Sequence, residues 1–89
     1  MKLVVTVVGK DRVGIIAMVS RILAEHNVNI LSINQNILDG FFNMILIAEI
    51  SGSKIKLTEL QQRLRESGRE INVDIKAQHE DIFNVMHNI

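Results

Sequence analysis

Cysteine, tryptophan and tyrosine are absent from the 89 residues, and three phenylalanines are the whole aromatic content. Without thiols there is neither a disulfide framework nor a thiolate metal site. A domain of this length buries only about 60% of the surface its unfolded chain exposes. With nothing covalent to compensate for a small core, self-association is the expected supplement, and the chain is expected to be a homo-oligomer, at least a dimer. A sheet that reads single-stranded RNA stacks bases on aromatic side chains beside a basic rim. Three phenylalanines and ten basic against ten acidic residues argue against that use. Neither sign of charge forms a block, so nucleic acid and anionic membranes are not expected partners. Long hydrophobic runs are missing too. Leu3 to Val8 is broken by Thr6 and ends in Gly-Lys-Asp-Arg, too short for a membrane span or a signal peptide. The expected compartment is the cytoplasm, and residues 1–89 read as one domain with no repeat, linker or low-complexity segment.

What is present is apolar content of 47% in two alternating periods. Leu3 to Val8 is β-branched and apolar on both alternating faces, as an inner strand would be. Ile15, Ile16, Val19, Ile22 and Leu23 recur at helical spacing, predicting a helix to about His26 with Asn27 as its stop. Val28 to Leu38 then alternates as an edge strand, with Leu31, Ile33 and Ile37 on one face and Ser32, Asn34 and Asn36 on the other. Asp39-Gly40 is a hairpin signal, since both turn positions of a type I′ turn need positive φ, and Phe41 to Ile50 returns as a second inner strand. After Ser51-Gly52-Ser53, Leu57, Leu60 and Leu64 mark a second helix that Gly68 could end, although Ile71 continues its period. Ile71, Val73, Ile75 and Ala77 alternate as another edge strand. A short helix is expected from Asp81, with Ile82, Phe83, Met86 and Ile89 along one side.

The order βαββαβ predicts an α+β, ferredoxin-like, four-stranded antiparallel sheet with two helices on one face, plus the short C-terminal helix. One sheet face is then free of helices. The inner strands are apolar on both faces, so a partner subunit or the terminal helix is expected to cover it.

The first strand meets the first helix at Gly9-Lys10-Asp11-Arg12-Val13-Gly14-Ile15-Ile16. Open backbone N–H groups and the positive end of the helix dipole converge at such a junction, which suits a small carboxylate. Plainer readings stand beside this one. Asp11 is a good helix N-cap, Gly14 could serve tight helix–strand packing, Asn29 could pair with exposed backbone at a strand start, and Arg12 could simply be solvated. His79, Glu80, Asp81 and His87 match no closed zinc pattern, and Glu80-Asp81 reads as helix N-terminal acids. Met44 and Met86 read as core filler and His26 as a helix-end cation. No metal and no cofactor is implied.

The chain resembles a stand-alone ACT domain along its whole length. The resemblance rests on Gly9-x-Asp11-Arg12-x-Gly14-Ile15 at the strand–helix turn and Asn27-Val28-Asn29-Ile30 between the first helix and second strand. The ending Gln78-His79-Glu80-Asp81-Ile82-Phe83-Asn84-Val85-Met86-His87 is similar to small single-domain members related to the glycine-cleavage regulator's domains. In members that bind amino acids, the ligand lies between subunits, held by the first strand–helix loop of one chain and the start of the second strand of another. The resemblance therefore implicates Asp11, Gly14, Ile15, Asn29 and Ile30. Some serine-binding members place histidine and asparagine in this loop, where the present chain has Gly9 and Asp11, which argues against serine.

Catalysis is not expected. Acylphosphatases share the topology but cradle phosphate in a loop resembling Gly-Arg-Val-Gln-Gly, which is absent, and no Ser/His/Asp or Cys/His set is readable. The expectation is a regulatory or sensor protein that binds a small ligand, an amino acid, at a subunit interface. The alternative is a structural protein–protein interaction module without a small-molecule ligand.

Overall fold

The computed structural model describes residues 1–50 and 55–81. The elements follow as β1 (Lys2–Lys10), α1 (Ile15–Glu25), β2 (Asn29–Leu38), β3 (Phe41–Glu49), α2 (Leu57–Glu70) and β4 (Val73–His79). They form an antiparallel sheet in the order β2-β3-β1-β4, the ferredoxin-like arrangement, with the two apolar-rich strands inside. The Ser51-Gly52-Ser53 break and the apolar stripe from Ile82 lie outside the described residues.

One sheet face carries the core. Leu3, Val5 and Val7 of β1, Phe42, Met44, Leu46 and Ala48 of β3, and Val73, Ile75 and Ala77 of β4 pack with Ile15, Val19, Ile22 and Leu23 of α1 and with Leu60 and Leu64 of α2. Strand residues here occur at every second position and helix residues three or four apart, the periodicities that put each set on one side. Fully burying each large aliphatic side chain contributes about 1.5–3 kcal/mol. No polar or charged residue is buried among those described. On the other face Val4 is buried, whereas Val8, Leu38, Phe41 and Ile45 are exposed. The expectation of a β1 covered on both sides therefore holds only in part within one chain.

Two local expectations are corrected. α2 does not end at Gly68 but continues to Glu70. Gly68 is buried, and a Cβ there would strike the Val73 carbonyl oxygen. The glycine is a place of contact between α2 and β4, and the chain turns instead at Ile71 and Asn72, the latter at φ 57°. In β2 the pairing shifts between Ile30 and Ser32, opposite Ala48 and Ile47, so Leu31 is an extra residue in the strand. This bulge puts Ile30 on the same face as Ile33 and Ile37, which lie opposite Leu46 and Phe42. His26 is the C-cap of α1, and its Nε2 is buried with no hydrogen-bond partner among the described residues. The Asp39-Gly40 turn is as expected, with φ of 52° and 81°.

Candidate functional site

α1 begins at Gly14, whose φ of 96° and ψ of −1° lie where a side chain is strained. No side chain caps the helix. Asp11 is therefore not the N-cap; it sits three residues before the cap, too early to reach the first-turn donors as a cap residue does. Its backbone N–H donates instead to the Gly40 carbonyl at 2.8 Å, tying the loop to the β2–β3 turn. The packing explanation for Gly14 also fails, since an added Cβ would meet nothing within 4 Å. Backbone conformation requires the glycine, not contact.

The helical ladder opens with Met18 N–H donating to the Gly14 carbonyl at 2.9 Å. The N–H groups of Ile15, Ile16 and Ala17 precede that bond and point out of the helix end. There is no acidic residue in the first turn to satisfy the dipole. The Ile15 side chain is buried in the core, so only its backbone could meet a ligand.

Asn29 and Ile30 lie far from this loop. Lys2 and Asn29 both pair with Glu49, whereas Lys10 and Leu38 both pair with Phe41. The start of β2 is thus at one end of the sheet and the Asp11–Ile15 loop at the other, separated by the length of β1, about 26 Å at ~3.3 Å per residue. A single chain brings Asp11, Gly14 and Ile15 together and leaves Asn29 and Ile30 at the opposite end. Asn29 is exposed and paired in the sheet edge, while Ile30 packs against the core.

Two residues that the sequence patterns did not place at the site adjoin the loop. Lys10, Asp11, Arg12 and Val13 line an open depression of ≈ 360 Å³ whose other wall is Ile71 and Asn72. Gly9 makes this approach possible, since a Cβ there would come within 3.0 Å of the Asn72 carbonyl oxygen. The signal was topological: once β4 is placed antiparallel to β1, its start must lie beside the end of β1.

One polar contact fastens each end of the described chain. The Met1 ammonium meets Glu49 Oε1 at 2.8 Å, and the Asp81 N–H donates to His79 Nδ1 at 3.1 Å. No group of three or more metal-ligating side chains gathers among the described residues, and His87 lies outside them. No helix among the described residues is long and apolar enough to cross a membrane.

The fold and its strand–helix loop have recognisable counterparts. The chain is 53% identical over 89 residues to a UPF0237 protein of Clostridium perfringens, covering 100% of both chains. It is 47% identical over 88 residues to a UPF0237 protein of Methanocaldococcus jannaschii, covering 99% of this chain and 98% of that one. Among solved structures, an ACT domain protein from Streptococcus pneumoniae superposes with a TM-score of 0.81 at 41% identity, covering 93% of each chain. The sequence model of the ACT domain matches residues 1–78, a span that includes the loop, both helices and almost all of the four strands, and the chain belongs to the ACT domain family.

Proposed function

We propose that the protein is a non-enzymatic, cytoplasmic sensor, one domain over residues 1–89, that binds an amino acid between two copies of itself. Asp11, Gly14 and Ile15 of one copy and Asn29 and Ile30 of the other form the site. The observation that carries this reading is the placement of those residues at opposite ends of a sheet whose β2 edge is open. β2 has no charged residue in ten, and Ile33 and Ile37 on its helix-side face are 43% and 53% exposed. Such an edge is a template for another strand. The opposite edge is guarded, with Asp74 and Lys76 on β4 and the Ala77 carbonyl accepting from Gln61 Nε2 at 2.6 Å. Antiparallel pairing of β2 with its two-fold mate sets the start of one β2 beside the end of the other. Asn29 of the second copy then stands at the Asp11–Ile15 end of the first.

In that arrangement the ligand carboxylate takes the open N–H groups at the start of α1. Its ammonium is accepted by Asp11 and by the Asn29 side-chain oxygen of the second copy. A ligand held by both chains favours the dimer, and the dimer favours the ligand by the same free energy, which makes association the regulated quantity. The test is thermal unfolding with each of the twenty amino acids. A ligand at a hundred times its Kd stabilises the folded protein by about 2.7 kcal/mol, and a flat response to all twenty would remove the sensor reading.

The interaction-module reading draws on the helix-free face, where Thr6, Val8, Asn34, Asn36, Asn43 and Ile45 border a concavity of ≈ 320 Å³. It becomes the better reading if no amino acid binds.

A further inference from the structure

We propose that the depression between the β1–α1 loop and the α2–β4 turn selects an amino acid carrying a second carboxylate. The inference rests on the sensor reading for the ligand's class and for the role of Asp11. It adds Lys10, Arg12 and Asn72, which the subunit-interface residues do not include.

The lining has a definite chemistry. Two cations, Lys10 and Arg12, flank one anion, Asp11, beside the Asn72 amide, with Val13 and Ile71 as aliphatic walls. None of the four polar side chains has a hydrogen-bond or ion-pair partner among the described residues. Elsewhere on the surface Glu25 pairs with Arg63 at 2.8 Å and Glu49 with the Met1 ammonium at 2.8 Å. Val13 is 100% exposed, and no packing among the described residues accounts for a valine there.

Charge decides which ligand fits. The ammonium of any amino acid pairs with Asp11 and its backbone carboxylate with the open N–H groups at the start of α1, which leaves Lys10 and Arg12 without a counter-charge. A neutral ligand side chain leaves both unmatched, a basic one opposes them, and a carboxylate pairs with them, bidentately at the Arg12 guanidinium. The methylenes between the carboxylates would lie against Val13 and Ile71. A volume of ≈ 360 Å³ is near the lower end of the ~300–1,000 Å³ usual for ligand pockets, which suits so small a molecule. The walls are held on both sides, by the Asp11 N–H donating to the Gly40 carbonyl and by the close approach of Asn72 to Gly9.

The experiment is calorimetric titration of the whole protein with L-glutamate and L-aspartate against L-glutamine and L-asparagine at one ionic strength. The amide forms keep the shape and remove the charge. At least one acid should bind about tenfold tighter than its amide, the worth of one charge-assisted contact. Arg12→Gln or Lys10→Gln should collapse that preference with the melting temperature unchanged, since both side chains are exposed and unpaired. Asn72→Gly, which tolerates the positive φ, should weaken the preferred acid several-fold. Acids binding no tighter than amides, or a preference surviving both charge removals, would overturn the proposal. If acids and amides bind alike and Asn29→Ala weakens both, this inference fails and the intersubunit reading stands. If neither acid binds while another of the twenty amino acids does, this inference alone fails, and if none of the twenty binds, both fail.

Discussion

The Asp11 N–H and the Gly40 carbonyl meet at 2.8 Å, so the first residue of the β1–α1 loop hangs from the turn that ends β2 and starts β3. A loop that carries unsatisfied donors is useful only if its backbone holds still, and this bond fixes it from outside its own helix. The Asp11 amide should exchange with solvent more slowly than those of Arg12 and Val13 in native-state hydrogen exchange. Gly40→Ala, which forces a Cβ onto a residue at φ 81°, should cost about 1–2 kcal/mol and erase the difference. Equal exchange at all three amides would show that the loop is not anchored there.

Gly14 separates conformation from space. Because an added Cβ meets open solvent, Gly14→Ala should destabilise through φ alone, by about 1–2 kcal/mol, and Gly14→Asn should cost less because asparagine tolerates positive φ. Chemical denaturation of the two variants decides this. Equal losses would mean that conformation is not what the position selects.

Gly68 makes the opposite case. Its backbone is free of φ strain, and a Cβ would run into the Val73 carbonyl oxygen and press on the Ile75 side chain at 3.0 Å. Gly68→Ala should therefore lose about 1–3 kcal/mol despite alanine's better helix propensity, a drop of several degrees in melting temperature for a domain of this size. A rise in melting temperature would show that α2 and β4 part easily at this point.

The open edge of β2 gives a prediction about assembly. Ile33→Glu combined with Ile37→Glu places charge on an edge that has none, and both side chains are already partly in water in the single chain. Sedimentation should report a monomer while the circular dichroism spectrum and the unfolding slope stay near wild type. A dimer that persists would locate the contact elsewhere, the exposed face with Val8 and Phe41 being the next surface to test.

Sequence patterns spoke where a residue's cause was local. Asp39-Gly40 announced its turn because positive φ restricts both positions, and Leu3 to Val8 announced an inner strand through β-branching on both faces. They misled where the cause was a neighbour in space. Gly68 has the look of a helix stop because glycine ends helices, and only the docking of β4 shows that it is there for closeness to Val73. Asp11 has the look of a cap because it precedes a helix, yet that helix starts later, at a glycine needed for its φ. The Leu31 bulge leaves no mark in an alternation that reads smoothly through it. At the site, the loop was readable as a motif, while Ile71 and Asn72 came beside it through the return of β4.

The claim that one site is shared by two chains is tested most directly by subunit mixing. Asp11→Lys and Asn29→Lys each place a cation where the ligand ammonium should sit, and both positions are exposed, so folding should survive. Each variant alone should fail to bind the amino acid that wild type binds. When the two are unfolded together and refolded as a mixture, half of the dimers join one chain of each kind, and each of those has one undamaged site out of two. Calorimetry of the mixture should then recover about one quarter of the wild-type stoichiometry at wild-type affinity. A mixture that binds no better than its parents would contradict a site built from the loop of one chain and the β2 start of the other.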